Sequence, residues 1–239
     1  MSREHPKHIE KYLQKYGLNS WEFYGTPKRY KSIIIIPAIA EFDNIRVLLN
    51  SLIQNDQKYF HSTLILFVVN RTSSSNDGIQ EENSRSIKLL KQIIQKEKTS
   101  DNLVAKVNES NLQIGLVDAS SEGLELNDKE GGVGLARKIG MDEALKHFDY
   151  STIQKNILIC LDADCTVSEN YISAIRESFD NNDLHAAYVN FSHALPNDVE
   201  NQKAIINYEI FLRYYVLGLK FANSPFAYHS IGSTMVCNV

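Results

Sequence analysis

Two aspartates, one residue apart at the end of an apolar run, are the most chemically loaded feature of this 239-residue chain. Residues 157–167 read ILICLDADCTV, so the run drives straight into Asp162, Ala163 and Asp164. If the chain stays extended there, both carboxylates fall on the same side, because side chains alternate along a strand. Two such charges repel, and one would hold its proton unless a cation neutralises them. Mg2+ or Mn2+ suits such an oxygen pair and keeps positions open for phosphate oxygens. The plainer alternative is a pair of turn acids or helix caps. A second feature is Gly131-Gly132-x-Gly134, followed by Arg137 and Lys138. Glycines let backbone approach an anion closely, and a helix start favours negative charge. The run is no dinucleotide fingerprint, since Arg137 stands where the third glycine would be.

The elements that must hold these residues alternate in type. Ile9, Tyr12, Leu13 and Tyr16 fall at helical spacing before Gly17, which marks residues 1–30 as a helical extension. Trp21, Phe23 and Tyr24 supply apolar anchors to the main domain, which begins at Lys31. Ser32 to Ile36 reads as a strand buried on both faces and ended by Pro37. Asp43 caps a helix carrying Ile45, Leu48, Leu49 and Leu52. Further strands are expected over 63–69, 111–117, 156–161 and 186–191, and helices over 84–98, 133–148, 171–179 and 202–221. Such alternation predicts an α/β fold, a three-layer α/β/α sandwich around a mostly parallel sheet. Ligands of such sheets bind beyond the carboxyl ends of the strands. The polar tracts 71–84 and 119–132 lie at that end and are long for plain connections.

Composition narrows the remaining choices. Hydrophobic residues make up 43% and charged residues 23%, as in ordinary globular proteins. The net charge of −4 argues against a nucleic-acid binder. Cys160, Cys165 and Cys237 form no Cys-x-x-Cys pair, and an odd count of three reads as reduced thiols of a cytoplasmic protein. The longest apolar stretch, Ile33 to Ala40, is far short of the roughly 20 residues of a transmembrane segment. The helix 202–221 offers Tyr214, Tyr215, Arg213 and Lys220 to an acceptor groove or to peripheral membrane contact, although core packing is the simpler reading of its aromatics.

Four stretches together resemble the family 2 glycosyltransferases with the GT-A fold, the Rossmann-like fold of nucleotide-diphospho-sugar transferases. They are IIIIPAIAEFDNI (33–45), GGVGLARKIGMDEAL (131–145), ICLDADC (159–165) and AYHSIGSTMVCNV (227–239). The resemblance runs from Lys31 almost to the last residue. It implies transfer of a hexose from a nucleotide-diphosphate sugar, a UDP- or GDP-sugar, to an unknown acceptor, with Mg2+ or Mn2+ at the diphosphate. Pro37, Ala38, Ile39 and Glu41 would then line the base and ribose. Asn70 takes the place of the usual acid after the second strand. It can hydrogen-bond a base edge but adds no charge. Arg137 and Lys138 would meet the nucleotide or its phosphates. Asp162 would hold the ribose or metal, Ala163 would line the nucleotide, and Asp164 would ligate the metal. His229, Gly232 and Ser233 fall on the acceptor or sugar side, and a lone histidine such as His229 is more often structural. The family's carboxylate base follows the last core strand, so the chain is expected to be truncated on that side, its base lying beyond Val239.

Two other readings compete. An apolar strand running into Asp-x-Asp also resembles haloacid-dehalogenase-like phosphatases, in which Asp162 would be the nucleophile. That family needs a later lysine and a further acidic pair after later strands, and the residues after Thr166 hold no strand followed by paired acids. The other reading is a non-catalytic nucleotide-binding module.

Overall fold

The computed structural model describes residues 5–229 and 231–239. The expected N-terminal extension is therefore described from His5 onward, and Ser230 of the last motif lies outside the described residues. The helices are α1 (Lys7–Tyr16), α2 (Phe42–Leu52), α3 (Asp77–Ile94), α4 (Asn102–Ser110), α5 (Val133–His147), α6 (Tyr171–Asn181) and α7 (Val199–Phe221). The strands are β1 (Phe23–Gly25), β2 (Ser32–Ala38), β3 (Thr63–Asn70), β4 (Gln113–Ala119), β5 (Ile157–Cys160), β6 (Ala186–Tyr188) and β7 (Met235–Asn238). They form one seven-stranded sheet in the order β1-β4-β3-β2-β5-β7-β6. The central four strands, β4, β3, β2 and β5, are parallel. β1 joins one edge antiparallel, and β7 and β6 join the other.

Every residue of β2 and β3 is buried. Alternation sends Ile34, Ile36 and Ala38 into a core shared with α2, α3, α4 and α6. Ile33 and Ile35 enter a second core with Ala136 and Ile139 of α5, closed by Tyr30 and Phe148. Four consecutive isoleucines thus serve both faces of one strand, each burial stabilising by about 1.5–3 kcal/mol. The result is the three-layer α/β arrangement with a largely parallel centre.

Several boundaries differ from expectation. β2 continues through Pro37 to Ala38. The Ile35 carbonyl accepts from Leu161 N–H on the β5 side. Position 37 faces the same way, and the β2–β5 ladder has ended at Ile35 and Cys160. The missing proline N–H therefore costs the sheet no rung. Asp43 is not the cap of α2; Glu41 holds the cap position, and Asp43 sits in the first turn, where the helix dipole favours an acid. α3 starts at Asp77, seven residues before the expected Ser84, because Asn76 caps it by accepting from Ile79 N–H at 3.0 Å. α4 was not expected; Asp101 caps it at Leu103 and Val104, which pack inward with Val107. β6 ends at Tyr188 rather than Phe191.

The first 30 residues do more than lie on the domain, since β1 adds an edge strand to β4. α1 docks through Asp142 of α5, whose carboxylate accepts from Tyr12 Oη (3.1 Å), Leu18 N–H (3.0 Å) and Lys138 Nζ (2.5 Å). The expected core packing of α7 is overturned. No residue of that helix is buried, and Tyr214 and Phe221 are 74% and 82% exposed. Among the described residues no helix is long and apolar enough to cross a membrane.

α5 lies close against the sheet because Gly140 has no side chain. A Cβ there would stand 2.5 Å from Ile35 Cγ2 and 2.9 Å from Val68 Cγ2. Gly140→Ala should lower stability by about 1–3 kcal/mol through overpacking, read from urea unfolding. An unchanged midpoint would show that α5 can move off the sheet freely.

Candidate functional site

The strand order reverses between β2 and β5, the neighbours from which the chain departs in opposite directions. A crevice at such a switch point is where open α/β sheets bind ligands. Its walls are residues 39–41 after β2 and 161–165 after β5. The last contact between the two is Leu161 N–H to the Ile35 carbonyl, at 3.1 Å.

Beyond it the chain does not stay extended. Asp162 to Cys165 form a turn closed by Cys165 N–H donating to the Asp162 carbonyl at 3.3 Å. The strand alternation behind the expected same-side placement therefore does not extend to Asp162 and Asp164, which sit on a turn. Asp162 accepts from Arg137 Nη2 at 2.7 Å. Asp164 is exposed, and no described cation stands within ion-pair distance of it. Ala163 is buried beneath the turn. Burial, with Asp164 and Asp162 close by, pushes the Cys165 thiol up to about 11, so it stays protonated beside Asp164 Oδ1.

Arg137 reaches the turn from the first turns of α5. Gly132 precedes that helix at φ +142°, a conformation that L side chains rarely adopt. The guanidinium lies under Gly232, where a Cβ would come within 2.8 Å of Nη1. Its Nε is buried without a hydrogen-bond partner. The structure thus brings Arg137, Asp162 and Gly232 together. Ser233 follows Gly232 half-buried, while His229 stacks edge-on against Phe191, with ring centroids 5.6 Å apart. Lys138 points elsewhere, giving its ammonium to Asp142 and to the Tyr16 carbonyl (2.9 Å), so its visible work is to hold α1.

The loops after β2, β3 and β4 are tied by a residue that the sequence reading missed. Asn83 of α3 is fully buried. Its Oδ1 accepts from Ala40 N–H at 2.8 Å, and its Nδ2 donates to the Asn70 carbonyl (3.0 Å) and to Ser120 Oγ (2.9 Å). Ala40 sits at φ +55°, so the clamp holds a strained backbone. Asn70 is itself buried, with its Oδ1 unpartnered. Pro37 and Ala38 are buried in β2, Ile39 is exposed, and Glu41 accepts from Asn44 Nδ2 at 2.5 Å.

The two polar tracts are ordered against each other rather than loose. Arg71 donates to the Ser120 carbonyl (2.6 Å) and pairs with Glu125 (2.6 Å). Asp128 accepts from Ser74 N–H at 2.9 Å. These residues gave no motif, and only a correct start for α3 at the Asn76 cap would have marked Asn83 as helical and inward.

Among the described residues no group of three or more His, Cys, Asp or Glu is assembled to hold a metal. The turn therefore offers a metal at most two carboxylates, a donor set that fits an ion completed by phosphate oxygens and water.

No family model matches the chain, and no curated protein matches it. Three solved structures show a likeness of chain course. Two are S. aureus TarS 1-349, alone (13% identity, TM-score 0.44) and with UDP-GlcNAc (15%, 0.42). The third is the mannosyltransferase PcManGT from Pyrobaculum calidifontis with GDP-Man and Mn2+ (16%, 0.42). The likeness covers 71%, 71% and 96% of this chain but only 38%, 36% and 50% of those chains. No family is shown at such identities.

Asn83→Ala leaves Ala40 N–H and the Asn70 carbonyl unpaired, which should cost about 3 kcal/mol. Hydrogen exchange at Ala40 should accelerate with it. Protection that persists in the variant would mean that another group holds the loop.

Proposed function

We propose that the chain is a metal-dependent glycosyltransferase domain that takes a nucleotide-diphosphate sugar, a UDP- or GDP-hexose, in the crevice between β2 and β5. The observation that carries this reading is the turn after β5, where Asp164 stands exposed and free of cations beside the Arg137–Asp162 pair. The resemblance of four ordered sequence stretches to family 2 glycosyltransferases supports it. Asp162 forms an ion pair rather than standing free as a nucleophile, so the phosphatase reading finds no support here.

When a nucleotide-sugar bond breaks, negative charge grows on the departing diphosphate. A divalent ion held by Asp164, with Asp162, supplies charge neutralisation there when bound. Arg137 adds a fixed cation beside Asp162. The chain entering α5 at Gly132 leaves room for backbone to approach a phosphate. Ile39 and Glu41 flank the base and ribose, and Asn70, buried at the end of β3, holds an unpartnered amide oxygen. The acceptor hydroxyl must also lose its proton, and none of the residues gathered here is assigned that task. Three free cysteines, Cys160, Cys165 and Cys237, accord with a cytoplasmic setting in this reading.

Calorimetric titration with UDP and with GDP, each with and without Mn2+, tests the proposal. Wild type should bind one of them in an Mn2+-dependent way. Asp164→Ala should weaken that binding at least about tenfold, or 1.4 kcal/mol, with an unchanged melting temperature. Equal affinity in the two proteins, or none in wild type, overturns it.

A further inference from the structure

The opposite end of the sheet carries a cavity of about 410 Å³ lined by charged side chains. It opens where β2, β3 and β5 begin, below Lys31, Ser62 and Gln154. Lys28, Arg29, Lys31, Lys58 and Arg176 line it against two acids, Asp149 and Asp180, with His61 at the edge. Two further acids, Asp56 and Glu177, stand beside Lys58, so the cations outnumber the acids by one in a chain whose overall charge is −4.

The lining divides into a fixed floor and an open rim. Arg176 donates to Asp180 through Nε (3.0 Å) and Nη2 (2.6 Å), and through Nη1 to the Lys155 carbonyl at 2.8 Å. Buried Lys31 donates to the Asp149 carbonyl at 2.6 Å and to Thr152 Oγ1. Arg29 is held by the Lys146 carbonyl. The rim differs. Lys28 is half-buried over the Tyr30 ring, and no acid pairs with it among the described residues. Lys58 is exposed, reaching Asp56 (3.1 Å) and Glu177 (3.7 Å), and His61 beside it is exposed without a described partner. Burial pulls both Lys28 and Lys31 below the usual lysine range, whereas the bond to Asp56 holds Lys58 above it, so the cost of charge falls on the two lysines nearer the floor. An anion placed there relieves that cost.

We infer that this cavity is a second binding site, distinct from the β2–β5 crevice, for a small molecule or headgroup bearing phosphate groups. Lys28, which no described acid pairs, and the exposed Lys58 and His61 suit phosphate groups, and the volume suits a ligand of that size. Lys28, Lys58 and His61 meet the phosphates, while Lys31 and Arg176 set the field from below.

The test is calorimetric titration of the whole chain with inorganic pyrophosphate in EDTA. A second arm measures cosedimentation with phosphatidylcholine vesicles with and without phosphatidic acid. The rim variant Lys28→Ala/Lys58→Ala should weaken pyrophosphate binding tenfold or more, while Arg137→Ala at the crevice leaves it unchanged. Lys28→Glu serves as a second rim variant, and matching melting temperatures exclude misfolding. Binding to phosphatidic acid vesicles alone, lost in the same rim variants, supports phosphate recognition and assigns the source to a lipid. No binding in either arm, equal binding by the rim variants, or loss only in Arg137→Ala overturns the inference.

Discussion

A strand buried on both faces can meet solvent only at its ends, and β2 is such a strand. Its isoleucines fill two cores at once, so neither face is left for a ligand. Every functional opportunity at the centre of the sheet is thereby pushed to the strand termini. The carboxyl end is shaped by one further fact, that the β2–β5 ladder stops at Ile35 and Cys160 while β2 runs on beside β3 to Ala38. The two strands separate there, and the crevice is the space between them. Pro37 is compatible with that geometry because its missing donor falls on the side already vacated.

The crevice is held from three directions. Asn83 fixes the loops after β2, β3 and β4 from one face of the sheet. Arg137 fixes the turn after β5 from the other, through an ion pair to the partly exposed Asp162. Gly140 lets the helix carrying Arg137 settle directly on Ile35 and Val68. Asn83 and Gly140 thus act on the site through the backbone they position, without touching a ligand.

What the chain discloses before folding follows from the range of the signals. The all-apolar runs of β2, β3 and β5 announce buried parallel strands, because only a fully covered sheet tolerates them. β1 was invisible as a strand, since three residues of Phe23–Gly25 carry no period and gain their pairing from β4. α4 is nine residues long, too short for a helical repeat to stand out. The start of α3 hid within a polar tract, and Asn83 was hidden with it. Asp162 and Asp164 were legible as a pair, but their relative placement was not. Strand alternation ends where a turn begins, and the turn depends on a backbone hydrogen bond that the residue types do not encode. Lys138 looked equivalent to Arg137 along the chain, yet one step on a helix rotates a side chain by about 100°, enough to face α1 instead of the crevice.

The long helix α7 has a consequence of its own. Phe211, Tyr214, Tyr215 and Phe221 stand in water on a segment that shelters none of its residues. Apolar area kept wet carries a standing cost of about 25 cal/mol per Å². Anything that takes those rings out of water is favoured, and neighbouring molecules at high concentration are the nearest such refuge. Solubility of the isolated chain is therefore governed by this helix more than by its net charge, and sulfate, which sharpens the aversion of such surfaces to water, should bring it out of solution early.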